Sequence, residues 1–332
     1  MTDRPADTPE LSFCIVNTGQ RALLLRGLDA VAREQAALPF ATEVIVLDNA
    51  SEDGSAEAAR AHPAVTEVLA LGERSGKAAN DSTLLRRARG RYALLLNEDS
   101  ELLPGATAAL HGALEADPRA AVAGGRLLWP DGTPQPSAWR FPTVATALTA
   151  ALLLHGRNVQ STGDVTREVD WVQSAAMLVR RRAAAQVGEL DERFFVYSDE
   201  VDFAKRLRDA GWRVLFVPSA AAYHHEQLST DTVSERRIVE FSRNRDLYVR
   251  LHHGPGAARA VRWLTAIPYA ARAVAALALP GHDPRRYARH VTATLRPARG
   301  EGIREAAAAF NRRRRAASAG APDAPADAVS RG

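Results

Sequence analysis

The N-terminal third of the chain carries short runs that are apolar at nearly every position: LSFCIVN (11–17), TEVIVLD (42–48), VTEVLAL (65–71) and RYALLLNED (91–99). Unbroken apolar runs of this length, without polar alternation, suit strands buried on both faces of a parallel sheet. The stretches between them, 19–37 with Leu24, Leu28 and Val31 on one face, 54–61 and 76–89, read as helices. This β-α-β-α order predicts a doubly wound sheet with right-handed crossovers. Ligands of such sheets bind beyond the carboxyl ends of the strands. Polar residues sit there at the ends of three runs: Asn17 and Thr18, Asp48 and Asn49, and Asn97 to Asp99. Together they predict a polar cleft. No GxGxxG follows the first strand, which continues VNTGQRALL, and no GxxxxGK[ST] occurs. Both absences disfavour a dinucleotide dehydrogenase or a P-loop nucleotidase.

The pattern changes after residue 104. PGATAALHGALEADP reads as a helix with Pro104 in its first turn. AAVAGGRLLWPDGTPQPS reads as a strand followed by a turn. Residues 137–168 resist assignment apart from a short helix at VATALTAALLLHG, and VDWVQSAAMLVRR (169–181) reads as a buried strand. Residues 188–225 read as a loop, an acidic helix start, a helix ended by Gly211, a strand and a histidine pair. In 231–254, Ile238, Phe241 and Tyr248 recur at helical spacing, as a core-packing stripe would. Helices rich in Arg and Ala follow at 256–280 and 301–316, and the Ala, Pro, Ser and Gly content beyond 316 predicts a disordered tail.

Composition adds little to the class and something to the partners. With 46% hydrophobic and 25% charged residues, the 332-residue chain has the balance of a soluble enzyme, and its net charge of +4 excludes a nucleic-acid-binding polycation. The charge is uneven. Acidic residues gather at 43–57, 97–101 and 189–202, while the last third is arginine-rich and includes NRRRRAAS (311–318). A basic end fits phosphates, an anionic membrane surface or a solvated tail. Cys14 is the only cysteine, which rules out an intrachain disulfide and agrees with a reducing cytoplasm. The opening MTDRPADTPE lacks the apolar core of a signal peptide. The stretch WLTAIPYAARAVAALALPG (263–281) contains Arg272 and two prolines, so it predicts a surface-lying or core helix rather than a membrane span.

The segments IVNTG, EVIVLDNASEDGS, RGRYALLLNEDSELLPGA, AAVAGGRLLWPDGTPQPSAWRFPT, VDWVQSAAMLVRR and LDERFFVYSDEVDFAKRLRDAGWRVLFVPSAAAYHH follow one another over residues 11–250. Their order and spacing resemble family 2 glycosyltransferases of the GT-A fold, in particular the rhamnosyltransferase-like branch. The resemblance implies a Rossmann-like sheet with helices on both faces that becomes mixed in the acceptor half. It divides the chain into a disordered start (1–10), a GT-A domain (11–253), a helical, membrane-surface region (254–315) and a tail (316–332). Within the domain, residues 11–100 would bind nucleotide and 101–253 the acceptor.

The residue roles follow from the same resemblance. Asn97-Glu98-Asp99 matches the family's Asn-x-Asp form, with Asp99 as ligand of Mn2+ or Mg2+ and Asn97 as a nucleoside contact. Glu98 falls at a variable position and is expected to face solvent, with Glu101 an ordinary surface acid. Asp48 would bind the base or ribose, or else cap the following helix; Asn49 and Ser51 share that ambiguity. Asn17 and Thr18 lie near the nucleoside, although Thr18 stands where relatives carry an aromatic ring. Lys77 would approach the diphosphate and Asn80 the nucleotide. Relatives carry Glu-Asp-x-Asp where this chain has Asp199-Glu200-Val201-Asp202. Asp199 is the first choice for the base that deprotonates the acceptor hydroxyl, with Glu200 the close alternative and Asp202 organising the helix. In AYHH, His224 leads His225 as a metal ligand, and Arg243 or Arg245 would touch a diphosphate of the donor or of a lipid-linked acceptor. The implied activity is metal-dependent, inverting transfer from a nucleoside-diphosphate sugar to a saccharide or lipid-linked hydroxyl, in the cytoplasm or peripherally on the inner face of the plasma membrane. A non-catalytic sugar-nucleotide or membrane-surface binder is the rival. A nucleotidyltransferase is disfavoured, because no glycine-rich loop bearing Arg or Lys follows the first strand.

Overall fold

The computed structural model describes residues 8–152, 155–225, 231–278 and 282–319. The first half alternates as the apolar runs predict: β1 (Leu11–Asn17), α1 (Arg21–Ala37), β2 (Thr42–Asp48), α2 (Ser55–Ala61), β3 (Glu67–Ala70), α3 (Lys77–Arg87) and β4 (Tyr92–Asn97). β1 pairs in parallel with both β2 and β4, and β2 with β3. Alternate residues of each strand serve opposite cores. Phe13, Ile15, Val44, Val46 and Leu94 pack with Leu24, Leu28 and Val31 of α1. Cys14, Val16, Ile45, Leu47 and Leu95 pack with Leu84 and Leu85 of α3. Burial on both faces explains why these strands read as unbroken apolar runs.

The second half supplies β5 (Ser100–Leu102), α4 (Ala106–Ala116), β6 (Ala120–Leu128), β7 (Pro134–Gln135), β8 (Ala138–Trp139), α5 (Val144–Ala151), β9 (Arg167–Val169), β10 (Trp171–Val172), β11 (Ala176–Arg180), α6 (Arg181–Val187), α7 (Asp199–Asp209) and β12 (Arg213–His224). The main sheet runs β3-β2-β1-β4-β11-β6-β12-β5, and β11 is antiparallel to both its neighbours. The sheet is therefore mixed in this half. VDWVQSAAMLVRR is not one strand. It divides among β9, β10 and β11 because Trp171 and Val172 leave the main sheet to pair with β8.

The helical end comprises α8 (Asp231–Ala275), α9 (Pro284–Leu295) and α10 (Ile303–Ala319). α8 is interrupted at Gly254, whose φ of 83° lies in the left-handed region that glycine enters without steric cost. Tyr248 and Val249 before the break, and Ala258 and Val261 after it, join the core beside α7. The stripe expected of Ile238, Phe241 and Tyr248 divides: Tyr248 is fully buried, whereas Phe241 is 49% exposed. α10 runs to Ala319, past the tail boundary expected at 316; the rest of that tail and residues 1–7 lie outside the described residues. Among the described residues no helix is long and apolar enough to cross a membrane.

Candidate active site

The ends of β1 and β2 meet in a closed polar network. Asn17 Nδ2 donates to Asp48 Oδ1 (2.8 Å) and to Ser51 Oγ (3.0 Å), and the Ser51 amide donates to Asp48 Oδ2 (3.0 Å). Asp48 thus caps its own loop, yet a carboxylate has further lone pairs to offer a ribose. Asn49 Nδ2 reaches Thr18 Oγ1 (3.3 Å) and the Ser75 carbonyl (3.1 Å), while the Ser75 amide returns a hydrogen bond to Asn49 Oδ1 (2.8 Å). Ser75 Oγ donates to Asn80 Oδ1, and Asn80 Nδ2 is buried without a hydrogen-bond partner. Asn17, Thr18, Asp48, Asn49 and Asn80 therefore share one edge, as sequence reasoning expected. The linking Ser75 carried no signal of its own in the sequence.

The ends of β4 and β12 bring Asp99 to His224. Pro218 has no N–H to continue a ladder, and β12 shifts register against β6 between Val217 and Ala221. Beyond this bulge β12 also pairs antiparallel with β5, setting His224 opposite Ser100. His224 Nε2 lies 3.4 Å from Asp99 Oδ1, and its Nδ1 is 2.9 Å from Gln135 Oε1. Because the Gln135 oxygen can only accept, Nδ1 carries a proton, and in the neutral ring Nε2 offers its lone pair on the side of Asp99. His225 is committed elsewhere, with Nε2 2.7 Å from Glu101 Oε1, which also pairs with Arg26 at 2.6 Å. Glu101 is accordingly an ordinary ion-pair acid.

One expectation for Asn97-Glu98-Asp99 needs correction. Asn97 lies apart from the hydrogen-bonded cluster of Asn17 and Asp48, and its Nδ2 faces His224 Nε2 at 3.4 Å. Glu98 does not simply face solvent. The turn after β4 folds its carboxylate back so that Oε1 accepts the Thr18 amide (3.3 Å). Burial first, then the adjacent Asp99 charge, push Glu98 up to about 7.

The acidic start of α7 forms the opposite wall. Tyr197 and Ser198 both adopt positive φ (68° and 63°), a conformation that non-glycine residues hold only under tertiary constraint. This turn starts α7 at Asp199. Asp199 is fully buried, and with the pair ionised neither of its oxygens has a donor. Glu200 remains half-buried and lines the cavity. Burial, then the Asp199 charge and the proton the pair would share, hold Glu200 well above the usual carboxylate range. Asp202 pairs with Arg206 and His252, each at 2.7 Å, and organises the helix as expected. Lys77 Nζ bonds Asp81 Oδ2 at 2.6 Å. Burial opposes its charge, but Asp81 and Asp199 outweigh burial and raise its pKa. A Cβ on Gly76 would stand 2.7 Å from the Phe195 carbonyl, so only glycine lets α3 meet the loop before α7 this closely.

Asn97, Glu98, Asp99, His224, Lys77, Asp199 and Glu200 line one cavity of about 220 Å3, together with Arg237 and Tyr197. Among the described residues, four carboxylates line it with two cationic side chains. That imbalance, with the Nε2 lone pair of His224 beside Asp99, is a donor set suited to a divalent cation. A second group of potential ligands, Glu10, His111 and Glu115, lies away from the cavity. Arg91 already pairs with both of its carboxylates. Arg243 is drawn away to Glu240 and Glu305, whereas Arg245 lines a larger adjoining groove.

Known proteins match both the sequence and the fold. Residues 12–182 match the model of glycosyl transferase family 2. Over 258 residues, 69% of this chain and 82% of the relative, the protein is 31% identical to N-acetylglucosaminyl-diphospho-decaprenol L-rhamnosyltransferase of Mycobacterium tuberculosis. A mannosyltransferase from Pyrobaculum calidifontis, solved with GDP-Man and Mn2+, superposes with a TM-score of 0.56 at 18% identity, over 93% of this chain and 90% of that one. GalNAc-T7, solved with UDP, GalNAc and Mn2+, gives 0.53 at 14% identity over 86% and 55%. The mixed sheet is that of the GT-A fold, and the chain belongs to glycosyl transferase family 2, as a glycosyltransferase of the rhamnosyltransferase-like branch.

Proposed function

We propose that this enzyme transfers a rhamnosyl group from a nucleoside-diphosphate rhamnose to a hydroxyl of N-acetylglucosamine carried on a polyprenyl diphosphate, in one displacement with inversion. The observation that carries the chemical reading is the convergence of Asp99, His224 and Glu200 on a single cavity. The choice of sugar and acceptor follows the name of the mycobacterial relative.

Asp99 and His224 would hold Mn2+ or Mg2+, which supplies positive charge for the diphosphate as it leaves. Gln135 orients His224, fixing the tautomer that offers Nε2. Asp48, Asn17 and Asn80 present the polar edge for the nucleoside, with Lys77 beside the acids. Glu200 takes the proton of the acceptor hydroxyl as its oxygen attacks the anomeric carbon, a role worth about 10²- to 10⁴-fold in rate. Glu200 replaces Asp199 as first choice because it alone of the pair borders both the donor cavity and the adjoining groove. Asp199, wholly buried, raises the basicity of Glu200.

We also place the enzyme peripherally on the cytoplasmic face of a membrane. Leu148 and Leu152 near α5, and Trp263, Ile267 and Val274 on α8, are exposed apolar side chains, and Arg245, Arg272 and Arg286 line the groove that these helices border. The test of function is a panel of sugar nucleotides incubated with Mn2+ and a short-chain GlcNAc-diphosphoprenol, followed by NMR of the product's anomeric centre. Rhamnose transfer with inverted configuration is expected. Retention, or a trapped glycosyl-enzyme, would refute the single displacement.

A further inference from the structure

A groove of about 720 Å3 opens beside the donor cavity and is bordered by α5, α8 and α9. Among the described residues Glu200 is the only carboxylate lining it, and it is shared with the cavity. Arg245, Arg272 and Arg286 line the groove as well. Among the described residues none of these three guanidinium groups makes an ion pair; Arg245 and Arg272 lie over the rings of Phe241 and Tyr269, at 5.6 and 5.7 Å. Their neighbours differ. Arg250 and Arg262 both pair with Asp246 at 2.7 Å, and Arg289 pairs with Glu235. The uncompensated charge is felt locally: burial, then Arg286, Arg245 and Arg272, hold His290 down to about 4.

Cations gathered without counter-charge in a concave, partly desolvated site suit an anion of high charge density, and guanidinium pairs well with phosphate oxygens. The walls constrain that anion further. Ala147, Ala150, Val261, Leu264 and Pro268 make one side apolar, and the stacked rings of Trp139 and Trp171, 4.6 Å apart, form another part of the lining. The occupant must therefore combine a diphosphate-like charge with an apolar chain, and must place a reacting end at Glu200. The helices that border the groove also carry exposed apolar side chains, Leu148 on α5 and Trp263, Ile267 and Val274 on α8.

We propose that this groove is the acceptor site, in which Arg245, Arg272 and Arg286 bind the diphosphate of a polyprenyl-linked saccharide and the α5–α8 wall binds its first isoprene units. The assignment rests on the glycosyl-transfer reading above only for the direction in which the saccharide points. Its test is a binding measurement. The full chain is titrated calorimetrically with a short-chain GlcNAc-diphosphoprenol and with a phosphate-free alkyl GlcNAc glycoside. The diphosphate probe should bind roughly ten- to a hundredfold more tightly. Arg245→Ala and, on the exposed face of α9, Arg286→Ala should each remove most of that preference. A merely destabilised fold would weaken both probes alike and leave the ratio intact. Equal affinities in the wild type, or variants that keep the preference, would overturn the proposal. Preferential binding without turnover would count instead against the enzymatic reading.

Discussion

His224 and His225 are adjacent in the chain and face different partners, and the difference rests on single hydrogen bonds. Gln135 fixes His224 with Nε2 toward Asp99, whereas Glu101 and Arg26 engage His225. His224→Ala should therefore abolish Mn2+-dependent turnover, and His225→Ala should leave most of it; steady-state rates across a Mn2+ titration decide. Gln135→Leu should weaken cation affinity by roughly 10- to 100-fold, since only the orientation of the imidazole is lost. Glu200 yields a prediction with a sign. A base works only when ionised, and the pKa of Glu200 is raised. Activity is then present above that raised value and lost as pH falls through it, so the acid limb of kcat/KM should lie above the ordinary carboxylate range. Glu200→Gln should cost about 10²- to 10⁴-fold and remove the limb. Asp199→Asn should move the limb to lower pH by removing a like charge. That Asp99 and His224 would come together was legible in the sequence, because the motif order marks both positions. Glu98 was not, because its direction depends on a turn that closes on the Thr18 amide of another strand.

Among the elements, α10 has the least obvious role. Asn311 exchanges hydrogen bonds with the backbone of Arg74 at both N–H (2.8 Å) and C=O (2.9 Å), Phe310 lies 3.8 Å under the Arg74 guanidinium, and Arg315 pairs with Glu73. The loop so held contains Ser75, which joins Asn49 to Asn80. Asn311→Ala should thus raise KM for the donor about 5-fold, the equivalent of ~1 kcal/mol of hydrogen bonding, with little change in kcat. A fall in kcat at constant KM would contradict this role. The parallel strands were readable from the sequence because burial on both faces leaves an unbroken apolar run. The division of VDWVQSAAMLVRR among β9, β10 and β11 was not, since Trp171 and Val172 pair with Trp139 and Ala138, far away in sequence.

In the whole molecule, the acidic cavity and the groove share Glu200, and the helices bordering the groove carry exposed apolar side chains. Binding to vesicles should accordingly need anionic lipid and weaken with salt, as electrostatic attraction to a charged surface does. Equal sedimentation with neutral and anionic vesicles would contradict that arrangement. The resemblance in motif order already implied two substrate halves. Their junction at Glu200 rather than Asp199 depends on the positive-φ turn at Tyr197 and Ser198, which neither side chain announces. The account as a whole depends on Asp99 and His224 serving a nucleoside-diphosphate leaving group. The most direct test is the release of nucleoside diphosphate from a rhamnosyl donor in the presence of acceptor, measured against Mn2+ concentration for the wild type and for Asp99→Ala. The account predicts saturable, chelator-sensitive release by the wild type and none by a folded Asp99→Ala variant. Release that is indifferent to chelator, or unchanged in the variant, would contradict it.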